Sequence, residues 1–119
     1  MANINESLAK LLEVDGAMCD ALVDANSGML LGKAGSGLDL DLAAAGNTEV
    51  VRAKMKTMKS LGLNDAIEDI LITLGKQYHI ILPVASKPGL FLYLVLDKNR
   101  SNLALARRAA QEVEQALQI

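Results

Sequence analysis

The sequence predicts an α+β domain: a five-stranded antiparallel sheet with helices on both faces, in the order α-β-β-α-β-β-β-α. Three observations carry this. Leu90 to Leu96 is an unbroken apolar and aromatic run between Pro88-Gly89 and Asp97-Lys98-Asn99-Arg100. So short a run, rich in β formers and closed by turn residues, reads as a strand. Successive strand side chains point to opposite faces, so a run without alternation is covered on both sides and sits centrally. The segments before it, Ile67 to Leu74 and Tyr78 to Val84, are of strand length and joined by short turns, which makes a meander. Three other segments carry apolar residues at helical spacing.

Taken in chain order, Ile4, Leu8, Leu11 and Leu12 fall on one helical face. Asn3 with Glu6 resembles a capping box that starts this helix, which ends near Glu13 to Asp15 with Gly16 beyond it. Ala17 to Val23 and Met29 to Lys33 are the strands of a hairpin around Asp24-Ala25-Asn26-Ser27-Gly28. Gly35-Ser36-Gly37 breaks the chain, and Asp39 caps a second helix to about Met58. The meander follows, turning at Gly75-Lys76 and at Ala85 to Gly89. Ser101 or Asn102 caps a last helix whose apolar positions are Leu103, Ala106, Ala110, Val113 and Leu117.

A chain of 119 residues is one domain, 1–119, large enough for a real core. With 51% hydrophobic and 22% charged residues it is globular. A mean hydropathy of +0.25 is high for a small soluble monomer, and surplus apolar residues often end in a subunit interface. The net charge of -2 gives no attraction to nucleic acid or to an anionic membrane. The aromatics are Tyr78, Phe91 and Tyr93 alone, too few for base-stacking platforms. Cys19 has no partner for a disulfide, no signal-peptide pattern opens the chain, and no apolar run is long enough to insert in a membrane. A cytoplasmic, self-associating domain is expected.

No catalytic constellation emerges. His79 is the single histidine and Cys19 the single thiol, so a Cys/His zinc site is not expected within one chain. His79 reads as a residue on the half-exposed face of a strand, and Cys19 as a buried inert thiol. Gly32-Lys33-Ala34-Gly35-Ser36-Gly37 lacks the Ser or Thr that must follow Lys in a phosphate loop, and the third glycine of a dinucleotide site. Asp39 and Asp41 suit a helix N-terminus. Glu68 and Asp69, adjacent in the expected third strand, point to opposite faces and form no acid–base couple. Neither an enzyme nor a cofactor is expected.

The second helix is more telling. At about 100° per residue, Leu42, Gly46, Val50 and Ala53, with Ala43, form one apolar stripe. Ala44, Val51, Met55 and Met58 form another, separated from it by Asn47 and Lys54. A helix on its own sheet needs one stripe. The second, with two adaptable methionines, is read as covered by a partner, the alternative being surface residues tolerated under a long loop. Arg52, Lys56 and Lys59 form a basic ridge near the helix C-terminus; they complement the helix dipole or steer an acidic partner. Arg107-Arg108 reads as solvated surface.

Three stretches resemble the roadblock family, the dynein light chain 7 and bacterial gliding-motility regulator group. Leu12-Glu13-Val14-Asp15-Gly16-Ala17 with Leu22-Val23-Asp24 and Ser27-Gly28-Met29-Leu30-Leu31 is similar to its helix, glycine and first hairpin. Tyr78-His79-Ile80-Ile81-Leu82-Pro83-Val84 is similar to its fourth strand. Leu94-Val95-Leu96-Asp97 with Asn102-Leu103-Ala104-Leu105-Ala106-Arg107 is similar to its fifth strand and last helix. The motifs are soft hydrophobic patterns, and their joint order over nearly the whole chain carries the likeness.

The resemblance implies a profilin-like fold with sheet order 2-1-5-4-3 and a homodimer or family heterodimer. Its third strands pair edge to edge and its second helices pack across the two-fold axis. Here that maps to Ile70 and Ile72, within Ile67 to Leu74, and to Ala44, Val51, Met55 and Met58. It further implies a non-catalytic regulator or scaffold of a Ras-like small GTPase, in some bacterial members one that accelerates GTP hydrolysis. Arg52, Lys56 and Lys59 are then candidate partner-binding charges. The competing expectation is a sensory module of similar shape that binds a small ligand between sheet and helix, which needs convergent polar groups in its core.

Overall fold

The structure, a computed structural model, describes residues 3–118. Its elements are α1 (Ile4–Leu11), β1 (Ala17–Asp24), β2 (Met29–Gly35), α2 (Leu40–Ser60), β3 (Ile70–Thr73), β4 (Gln77–Pro83), β5 (Leu90–Asp97) and α3 (Leu103–Ala116), with a 3-10 turn at Lys98–Arg100. The strands form one antiparallel sheet in the order β2-β1-β5-β4-β3. This is the profilin-like order that the resemblance implied, with Leu90 to Leu96 in the centre.

Alternation along β5 divides the core in two. Leu92, Leu94 and Leu96 join Leu8 and Leu11 of α1 and Ala106, Ala110 and Val113 of α3 on one face. Phe91, Tyr93 and Val95 join Leu40, Ala44 and Val51 of α2 on the other. Both faces of β5 are thus covered, which is why its sequence shows no polar alternation. Within the first layer α1 packs on β1 and β2, and α3 on β4 and β5.

Local chemistry fixes the helix ends. The Asn3 side chain accepts a hydrogen bond from the Glu6 amide at 2.8 Å and donates from Nδ2 to the Glu6 carboxylate at 2.6 Å. Asp39 accepts from the Leu42 amide at 3.1 Å and Asn102 from the Leu105 amide at 3.2 Å. Gly32 on β2 is required by the approach of α1: a Cβ there would lie 2.7 Å from Ile4 Cγ2 and 3.0 Å from Leu8 Cδ1. Gly16, at φ +84°, makes the left-handed turn from α1 into β1, a conformation that disfavours other residues.

Several element ends differ from expectation: α1 stops at Leu11 rather than near Glu13 to Asp15, and β2 runs past Lys33 to Gly35. The third strand spans Ile70–Thr73 rather than Ile67 to Leu74. Glu68 and Asp69 therefore precede the strand instead of lying in it. Arg107 of α3 holds the Asp69 carboxylate in a two-point ion pair, and pairing with β4 starts at the next residue, Ile70.

Candidate functional site: the outer face of α2 and the free edge of β3

The apolar stripes of α2 exchange the roles expected of them. Ala44 and Val51 are 1% and 4% exposed and pack, with Leu40, against Cys19, Ala21, Val23 and Tyr93. They are consumed inside the protomer and form no outer stripe. Thr48 is buried between them; its hydroxyl donates to the Ala44 carbonyl at 2.7 Å, which offsets the cost of burying it. The outward stripe is instead Leu42, Gly46, Val50 and Ala53, with Leu42 71% exposed. Met55 is 58% exposed and Met58 half-buried, so these two remain at the surface.

Beyond α2 the chain continues the apolar surface. Leu61 and Leu63 are exposed, and an open groove of about 490 Å³ runs between α2 and the segment leading into β3. Val50, Met58, Leu63, Ile67 and Ile70 form much of its wall, with Lys54, Asp65 and Asp69 as charged members. β3 lies at the end of the sheet and pairs with β4 alone. Its register sets Ile70 against Ile81 and Ile72 against His79, which places both isoleucines on the α2 side, half-buried. The free edge of β3, the groove and the outer stripe of α2 form one continuous surface.

The basic ridge is split. The Arg52 guanidinium donates to the Asn26 carbonyl at 3.1 Å and so braces the β1–β2 hairpin. Lys56 and Lys59 are exposed and, among the described residues, in no ion pair. Arg107 is not merely solvated: its Nη2 and Nε reach Asp69 at 2.6 and 2.9 Å, and this hydrogen bonding to the carboxylate raises its pKa. His79 does sit half-buried on its strand. Its Nδ1 lies 2.9 Å from Tyr93 OH and its Nε2 2.9 Å from Gln77 Oε1, and burial lowers its pKa. Cys19 is fully buried, and burial, with the neighbouring Asp20 charge, raises its thiol pKa.

Asp20 has no counterpart in the sequence reading. It lies in the middle of β1, 0% exposed, and neither carboxylate oxygen has a hydrogen-bond partner. Burial pushes its pKa up to about 7. The signal was a lone acid inside the apolar segment Ala17 to Val23. Among the described residues no helix is long and apolar enough to cross a membrane.

No protein-family model matches this sequence, and no curated protein matches it. Solved structures do. MglB of Myxococcus xanthus is 24% identical, with a TM-score of 0.82 over 94% of this chain and 89% of that one. The gliding protein MglB of Thermus thermophilus is 19% identical, with a TM-score of 0.81 over 95% of this chain and 84% of that one. A Roadblock/LC7 domain from Streptomyces avermitilis is 12% identical, with a TM-score of 0.83 over 97% of this chain and 94% of that one. Likeness at such identities rests on the course of the backbone, and by that measure this chain has the fold of the roadblock/LC7 domain.

Proposed function

We propose that this chain is a non-catalytic regulator or scaffold of a Ras-like small GTPase that acts as a cytoplasmic homodimer. The observation that carries the reading is the unpartnered surface that joins the outer stripe of α2, the groove and the free edge of β3. Leu42 and Val50 on the outer stripe, Met55 exposed at the end of the inner one, and Leu61 and Leu63 beyond the helix are large apolar side chains left at the surface, of the kind that marks an interaction site. An edge strand with unpaired backbone groups favours a second strand beside it. A second copy turned about a two-fold axis satisfies both needs at once. The interface residues are then Leu42, Val50, Met55, Met58, Ile70 and Ile72, with Ala44 and Val51 supporting them from inside.

The GTPase part of the reading rests on the fold shared with MglB, a gliding protein by its description, and on the sequence resemblance. Lys56 and Lys59 are the charges free to steer an acidic partner. The experiment is a mass measurement by light scattering at tens of micromolar, then capture and GTP-hydrolysis assays with a small GTPase encoded beside this chain. A folded monomer, or a dimer with no hold on that GTPase in either nucleotide state, would count against the proposal.

A further inference from the structure

Asp20 is a fully buried carboxylate on the sheet face that α1 covers, since α1 packs on β1 and β2. Its neighbours across the sheet are Ala34 of β2 and Leu94 of β5, both within the apolar layer. α1 contributes Leu8 and Leu11 to that layer and α3 contributes Ala106, Ala110 and Val113. The charged groups of these elements lie elsewhere. Glu6, Lys10 and Glu13 in or beside α1 are exposed; Lys33 of β2 pairs with Asp41; Arg107 and Arg108 of α3 pair with Asp69 and Glu112. Tyr78 of β4 borders the same layer, and the Cys19 thiol, next to Asp20 on β1 but in the opposite layer, is kept neutral by burial. Nothing among the described residues compensates a negative charge at Asp20.

A second buried group lies on the covering helix. Ser7 Oγ, on α1, also lacks a hydrogen-bond partner. The buried unpartnered side-chain polar atoms of the described residues are therefore Ser7 Oγ and the two oxygens of Asp20: one on α1, two on the strand beneath it. Each loses hydration while α1 is docked and regains it if α1 lifts. α1 is also the element best suited to move. It has eight residues, too few for a stable helix in isolation, and its hold on the sheet comes from Ile4, Leu8 and Leu11.

We propose that α1 is a proton-controlled cover: it stays docked on β1 and β2 while Asp20 carries a proton, and lifts when the carboxylate ionises and draws in water. An aspartic acid in an apolar layer leaves one modest group unsatisfied, whereas an unpaired carboxylate costs far more. The charge is relieved either by global unfolding or by local opening, and opening a helix of eight residues disturbs less of the core. The lifted state exposes Leu8, Leu11 and Leu22 on the face away from α2, so the device is separate from the surface proposed for self-association.

The test is hydrogen–deuterium exchange of the full chain at about pH 6 and about pH 8.5, with labelling times corrected for intrinsic exchange. In the wild type, protection over residues 4–11 should fall on the order of tenfold at the higher pH while β4 and β5 keep theirs. Asp20→Asn should abolish that difference. A wild-type α1 equally protected at both pH values, the same pH response in Asp20→Asn, or a parallel loss in β5 overturns the proposal. Should Asp20→Asn not fold, carbon-13 titration of the wild-type aspartate carboxyls decides. An Asp20 midpoint well above the ordinary carboxylate range, matched by chemical-shift changes in α1, supports the cover; an ordinary midpoint overturns it.

Discussion

Arg107 on α3 grips Asp69 with two parallel hydrogen bonds, Nη2 to Oδ1 at 2.6 Å and Nε to Oδ2 at 2.9 Å, across 38 positions of sequence. Asp69 is the residue immediately before β3. The pair therefore anchors the start of the free edge strand to a helix on the face opposite α2. Fork-to-carboxylate geometry is the stronger kind of ion pair, but Arg107 is half-exposed and solvent screens it.

Removing that anchor should loosen the edge more than the fold. Arg107→Ala is expected to cost about 1 kcal/mol in urea unfolding, because screening discounts the pair while Asp69 loses its main partner. The effect on self-association should be larger than on stability, since β3 and its leading segment border the groove. Sedimentation equilibrium of the variant checks this; unchanged dimer affinity with reduced stability would detach the ion pair from the interface.

The two stripes of α2 make opposite predictions for the same kind of substitution. Val51→Asp places a carboxylate in the layer of Cys19, Ala21 and Tyr93 and should cost about 3 kcal/mol or more, a large share of the stability of a small domain. Leu42→Asp with Val50→Asp falls on the outer face and should leave the thermal midpoint within a few degrees. The outer pair should nevertheless convert a dimer to a folded monomer. Circular dichroism and light scattering on both proteins separate these outcomes, and a dimeric outer-face variant would remove α2 from the interface.

These stripes also show how far the sequence could be read. The pattern of β5 was unambiguous because a strand buried on both faces leaves its mark residue by residue, and α3 because its buried positions form a single series. On α2 two apolar series compete, and spacing alone does not say which meets the sheet. The inner series looked incomplete because Thr48 interrupts it, and its hydroxyl is satisfied only by the Ala44 carbonyl of its own helix. The Arg107–Asp69 pair was beyond reach because local spacing carries no information about partners 38 residues apart. Asp20 stands in the sequence as a lone acid inside an apolar strand, but spacing along one strand does not say whether such a residue is buried or reaches water.

His79 and Tyr93 provide a third check. Tyr93 OH meets Nδ1 and Gln77 Oε1 meets Nε2, so the neutral imidazole with its proton on Nε2 satisfies both contacts. Burial lowers the His79 pKa below its unfolded value, so the unfolded chain binds this proton first as pH falls. The contribution of His79 is therefore complete above the unfolded value of about 6.5 and is lost on acidification below it. Tyr93→Phe removes the Nδ1 partner and should cost about 1 kcal/mol at neutral pH. Nuclear magnetic resonance of the imidazole should show the Nε2-protonated tautomer in the wild type; the other tautomer would reassign both hydrogen bonds.

Asp20 contributes a slope of the opposite sign. Its folded pKa of about 7 lies above its ordinary value of 3.8, so between those limits the folded state holds a proton that the unfolded state has released. Stability then falls as pH rises through this window, by about 1.4 kcal/mol per unit at most, and the penalty levels off above the folded pKa. Over the whole window the loss approaches about 4 kcal/mol, unless opening of α1 relieves part of it. Urea unfolding at several pH values from about 4.5 to about 8.5 measures the slope. Asp20→Asn should flatten it, gaining stability relative to the wild type at the alkaline end and losing that advantage at the acid end, where the wild-type carboxyl is already neutral. Because the amide leaves its own donors unsatisfied, the change of slope rather than the absolute stability is the readout. A slope that Asp20→Asn leaves unchanged would mean that Asp20 ionises at no cost and that water already reaches it beneath α1.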